Sequence, residues 1–150
     1  SFTAMCERLG LKAGAKTIKS VLEEADSDDI ALLHLPPHAA VAVLERIRYA
    51  DSRPISLETT RFLESYRSIL DCDLTDRSLY QLLRENYQID FTHTGKQVEI
   101  VFASHRLSTY LNVAPGYPLL KIESCICLPD GSPCARNLQY ILGDQFKMQL

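Results

Sequence analysis

Residues 41–63, VAVLERIRYADSRPISLETTRFL, constrain the fold more than any other stretch. Residues 41–50 alternate and are rich in β-branched side chains, the pattern of a strand. DSRP at 51–54 reads as a turn, and residues 55–63 return as a second strand. A second hairpin follows the same logic near the end of the chain. PLLKIESCICL (118–128) and SPCARNLQYIL (132–142) flank PDG, a turn sequence that joins adjacent antiparallel strands. Two hairpins in one short chain require an antiparallel sheet.

The segments around them have the other periodicity. Ser1–Gly10 reads as a short helix, capped by Ser or Thr at its start and closed by Gly10. DSDDIALLHL (26–35) reads as one or two helical turns stopped by Pro36 and Pro37. Residues 73–87 form a helix with Leu79, Leu82 and Leu83 on one face and Thr75 or Asp76 as cap. Residues 89–103 are extended, and residues 104–113 are helical with Asn112 as the stop. Residues 15–25 fit strand or helix equally, and residues 143–150 either pair once more or fray. The expected fold class is α+β: one domain, an antiparallel sheet with helices on one side or at its ends.

Composition removes several function classes. Against 19 Asp and Glu stand 16 Lys and Arg, without a basic patch, so this chain is not expected to grip nucleic acid by itself. No apolar run approaches the ~20 residues of a membrane span, and no signal peptide is evident. The chain starts with Ser1 rather than Met, as expected of a fragment or processed form. Five cysteines without a CxxC pair read as reduced thiols in a cytoplasmic protein. No metal and no cofactor are expected. His34 and His38 are separated by two prolines, His93 and His105 lack paired ligands, and neither a GxSxG motif nor a phosphate-cradling glycine loop occurs.

One feature is left over. Arg46 and Arg48 share a strand face, and Glu58 lies on the returning strand. Two guanidinium groups on one face can clamp a carboxylate or phosphate. The plainer alternatives are a solvated face or an internal Arg–Glu bridge. SFT (1–3) and RSLY (77–80) put hydroxyl residues near helix starts, where anions are favoured, although most such residues cap only their own backbone.

The order of four stretches, ERIRYADSRPISLETTRFL, DLTDRSLYQLLRENYQI, LNVAPGYPLLKIE and LPDGSPCARNLQYILGDQF, resembles the UTRA effector-binding domain of GntR-superfamily, HutC-type transcription regulators. The resemblance runs from about Phe2 to the C-terminus. It implies a chorismate-lyase-like fold, a homodimer, no catalysis, and a winged helix-turn-helix domain preceding Ser1 through which DNA is bound. It also implies a small anionic metabolite as effector, a phosphorylated sugar or a carboxylate. By the same match Arg46 and Arg48 hold the anion, Phe2, Thr3 and Ser78 supply helix-start and hydroxyl contacts, and Glu58 meets the polar body of the ligand. Sugar-phosphate-responsive members often have Glu where this chain has Ala135 and Tyr where it has Ile141. An amino-sugar phosphate is therefore not expected, and Asn137 is the expected replacement contact. A chorismate-lyase-like enzyme and a ligand-free dimerisation module are the alternatives.

Overall fold

The computed structural model describes residues 2–144. Six strands form one antiparallel sheet: β1 (Ala13–Glu24), β2 (Ala40–Ala50), β3 (Arg53–Leu63), β4 (Thr92–Phe102), β5 (Pro118–Cys127) and β6 (Pro133–Ile141). Their order across the sheet is β1-β2-β3-β6-β5-β4, so the two hairpins read from sequence meet where β3 pairs with β6. The helices are α1 (Phe2–Arg8), α2 (Ser27–Leu33), α3 (Leu79–Tyr87) and α4 (His105–Leu111), with a 3-10 helix at Glu64–Asp71.

The undecided segment 15–25 lies in strand β1, paired with β2 from Ala13–Ala50 to Glu24–Ala40. Three other readings change. The helix at 73–87 starts later, at Leu79, and its cap is Ser78, whose hydroxyl accepts from Gln81 N at 3.4 Å. Asp76 does not cap, because its carboxylate accepts from Ala15 N (2.9 Å) and ties the loop to β1. The 3-10 helix was not expected; it continues β3 and puts Ile69 into the core. The reading of residues 145–150 lies outside the described residues, as does Ser1 as a helix cap. Asn112 ends α4 as expected, with φ +55°.

Helices cover both faces of the sheet, not one. On the first face Ala42, Leu44, Phe62 and Ala135 pack under Leu79 and Leu83 of α3. On the second, Ile47 and Leu57 meet Leu107 and Leu111 of α4, and Val41 and Val43 meet Leu33 of α2. The cause is legible in β2 itself: Val41, Ala42, Val43 and Leu44 are apolar at odd and even positions alike, and a strand apolar on both sides must be covered on both. None of the five cysteines is in a disulfide, and four are buried.

Charge fixes α2 on the second face. Arg61 and Arg136 are directly opposed across β3 and β6, a repulsive pairing by itself. Asp29, fully buried in α2, accepts from Arg61 Nε at 2.8 Å and from Arg136 Nη1 at 3.3 Å. The same carboxylate closes the capping box with Asp26. Asp26 and Glu123 complete the neutralisation of Arg136. Replacing Asp29 by Ala leaves two covered guanidinium groups short of a partner and is expected to cost roughly 3–5 kcal/mol in urea denaturation. Replacing the solvent-exposed Asp28 is expected to cost less than about 1 kcal/mol.

Candidate functional site

The first face carries a constellation that packing alone does not explain. β2 places Arg46 and Arg48 next to each other on that face, and β3 places Glu58 opposite Arg46. Both arginines are buried, at 1% and 6% exposure. Arg46 reaches Glu58 at 3.3 Å and donates to the Arg77 carbonyl at 2.9 Å, while its Nε has no hydrogen-bond partner among the described residues. Arg48 has no carboxylate partner among the described residues. It donates to Gly14 O and to Thr3 Oγ1, each at 3.3 Å, and the Phe2 ring lies 4.7 Å from its guanidinium carbon. Glu58 also accepts from Gln139 at 3.0 Å, so its charge is divided.

Two buried cations thus face one shared carboxylate. Burial pulls the Arg48 guanidinium below its ordinary value; Glu58 opposes the shift and Arg46 adds to it. A buried charge without a counter-ion costs several kcal/mol. A ligand anion about 4 Å away recovers on the order of 4 kcal/mol at an effective dielectric of 20.

A cavity of about 580 Å³ opens beside this pair, within the range of small-metabolite sites. Phe2 and Ser78 line it, on α1 and at the start of α3, and Gln139 and Ile141 of β6 form part of its floor. The guanidinium groups sit one layer behind: Arg48 is covered by Phe2 and Thr3, and Arg46 is held by Glu58 and the Arg77 carbonyl. Five of the residues expected from sequence form two adjacent contact groups, Phe2–Arg48–Thr3 and Arg46–Glu58, and Ser78 lies at the cavity wall beside them. Asn137 is on the same face but donates to Thr60 Oγ1 at 2.9 Å and does not line the cavity; Gln139, one step along β6, does.

Sequence reasoning weighed His93 only as a metal ligand and did not single out Tyr80, Arg84 or Lys96; all four line the cavity. The signal for Lys96 was Gly95. β4 is bulged between Thr94 and Gln97, with Gly95 at φ +62°, so that Gly95 and Lys96 together oppose Ser124. The extra residue reverses the alternation and brings Lys96 to the face that carries His93. His93 is held at both ring nitrogens, Nε2 by the Tyr80 hydroxyl and Nδ1 by Ser124 Oγ at 2.9 Å. Among the described residues no group of His, Cys, Asp and Glu is arranged to hold a metal, and no helix is long and apolar enough to cross a membrane.

Comparisons with known proteins agree with this architecture. A family profile described as the UTRA domain matches residues 8–147. The HTH-type transcriptional regulator YurK of Bacillus subtilis (strain 168) is 28% identical over 102 residues, covering 67% of this chain and 42% of that protein. The chain therefore spans less than half the length of this curated relative. The effector domain of PhnF from Mycobacterium smegmatis superposes with a TM-score of 0.89 at 23% identity, over 99% of this chain and 92% of that one. A GntR-family transcriptional regulator from Bacillus cereus superposes with a TM-score of 0.74 at 18% identity, over 93% and 97%. At these identities the structural likeness is one of fold.

Burial lowers the His93 imidazole below its ordinary 6.5, and Lys96 lowers it further. The unfolded chain then binds a proton that the folded chain refuses, in the interval between the two values, so stability falls as pH drops through that interval. An NMR titration of the His93 ring is expected to give a midpoint below 6.5, and His93→Gln is expected to flatten that limb of the stability profile; a midpoint at or above 6.5 contradicts this.

Proposed function

The chain belongs to the UTRA domain family, and on that premise we propose that it is the effector-sensing domain of a bacterial GntR-type, HutC-like transcription regulator, without catalysis. The effector is a small anionic metabolite, a phosphorylated sugar or a carboxylate, and its anion sits between Arg46, Arg48, Thr3 and Ser78. The observation that carries this reading is Arg48: a covered guanidinium with no carboxylate partner among the described residues, satisfied by a threonine hydroxyl and a carbonyl at 3.3 Å. An arriving anion makes stronger, charge-assisted bonds than either.

The same contact supplies the coupling. Thr3 and Phe2 belong to α1, which lies at the N-terminal end of the described residues. An anion that takes the Thr3 position on Arg48 shifts α1, and α1 relays the shift to a winged-helix DNA-binding domain on the same polypeptide. Such coupling is typically worth ~1–3 kcal/mol. The HTH-type designation of YurK, of which this chain spans 42%, supports that arrangement. Val98, Ile100 and Phe102, exposed together on the edge strand β4, support a homodimer. Sedimentation velocity is expected to find a dimer that Ile100→Glu converts to monomer.

A thermal-shift screen of phosphorylated and carboxylated metabolites tests the site. A subset is expected to stabilise the chain, by about 2.7 kcal/mol at a hundredfold excess over Kd. Arg48→Gln is expected to abolish that stabilisation. Its ligand-free melting temperature should match or exceed that of the parent, because the substitution removes a buried charge that lacks a counter-ion. Undiminished stabilisation in the Arg48→Gln chain contradicts the assignment.

A further inference from the structure

The cavity wall is charged in a way the chain as a whole is not. The protein carries a net charge of −3, yet Arg8, Arg84 and Lys96 line this cavity and no Asp or Glu does. The other large cavity, about 460 Å³ between α2 and β4, has the opposite character: Asp28 and Glu123 line it and, among the described residues, no Lys or Arg does. The two cavities differ in charge, and the cation-lined one is beside Arg46 and Arg48.

The cations of that cavity fall into two groups. Arg46 and Arg48 are buried on β2, while Lys96 is exposed on β4 at the far edge, four strands away in the order β2-β3-β6-β5-β4. Four strand spacings are about 19 Å between backbones. The two groups therefore stand on either side of the central β3–β6 pair, with room for two anionic groups rather than one. Arg84 is engaged with Asp90 at 3.0 Å, but no ion pair among the described residues involves Lys96 or Arg8. Lys96 is also there by a specific backbone device. Without the bulge, residue 96 alternates away from His93; with it, Gly95 and Lys96 share the position opposite Ser124 and the ammonium faces the cavity. A bulge costs a ladder hydrogen bond, and here it aims a cation.

We infer that the effector is an elongated dianion in the sense of two separate anionic groups, one buried at Arg46 and Arg48 and a second held at the cavity mouth by Lys96. Arg8 and Arg84 add positive potential around that second group, and Gln139 on β6, between the two ends, meets its polar middle. This inference rests on the anion site proposed above and adds the second charge and the role of Lys96 as the residue that selects for it. Because the mouth is exposed, the second contact is screened by salt more than the buried one.

Two six-carbon probes that differ only at one end test this: glucitol 6-phosphate, with a hydroxymethyl terminus, and 6-phosphogluconate, with a carboxylate there. Titration calorimetry at low salt is expected to give at least about tenfold tighter binding of 6-phosphogluconate. Lys96→Gln is expected to erase the preference while leaving glucitol 6-phosphate affinity unchanged, and Lys96→Arg to restore it. The preference should also shrink as salt is raised. Equal affinities of the two probes, both lost in Arg48→Gln, overturn the dianion inference and leave the anion site standing. A preference that survives Lys96→Gln likewise overturns it. If neither probe binds at millimolar concentration, the dianion inference and the anion site both fall.

Discussion

The site depends on a charge imbalance: two buried guanidinium groups and one carboxylate that is itself shared. Arg46 and Arg48 are placed side by side by strand alternation alone, and Glu58 answers only Arg46 at contact distance. A protein built only for stability has little reason to keep such an arrangement, since an apolar side chain in place of a covered, unmatched charge is usually neutral or favourable. Elsewhere in the same sheet the chain does neutralise its arginines. Arg61 and Arg136, equally awkward as a directly opposed pair, are met by Asp26, Asp29, Glu23 and Glu123. The contrast between the two faces is one of charge balance: the network around Arg61 and Arg136 is matched by carboxylates, whereas Arg48 has no carboxylate at contact distance among the described residues.

The architecture serves that difference. The network on the second face locks α2 down, so that face is rigid and complete. On the first face α3 packs its leucines over one part of the sheet, and α1 leans on Arg48 through Phe2 and Thr3. The space between them is the cavity. Cys6 and Met5 are the buried anchors of α1, and its Thr3 side chain rests on the Arg48 guanidinium. A movable element resting on the binding group itself is what a sensor requires, because ligand binding can change a conformation only through contacts that differ between the two states.

The sheet and most of this site were legible in the sequence, for a local reason. Alternation in residues 41–63 fixed the strand, the turn and the shared face of Arg46 and Arg48, and the PDG turn fixed the second hairpin. The resemblance across four stretches then gave Phe2, Thr3, Glu58 and Ser78 their places. What was not legible depends on contacts far apart in the chain. β1 shows too little pattern because it is an edge strand with mostly solvent-facing residues, and only pairing with β2 settles it. Asp76 looked like a helix cap and instead serves Ala15, 61 residues away. Lys96 was invisible because a one-residue bulge inverts the parity on which any reading of faces relies. Asn137 was placed on the correct face, yet Thr60, its neighbour across the strands, holds it, and the cavity falls to Gln139.

In the proposed function an anion completes the Arg46–Arg48 pair. Diffraction from crystals of the chain grown with selenate, whose selenium scatters anomalously, tests it most directly. The expected result is an anomalous peak within hydrogen-bonding distance of the Arg48 guanidinium and the Ser78 hydroxyl, with the Arg48–Thr3 contact broken and α1 displaced. Anomalous peaks confined to the outer surface, with Arg48 still bonded to Thr3 and Gly14, would contradict the account.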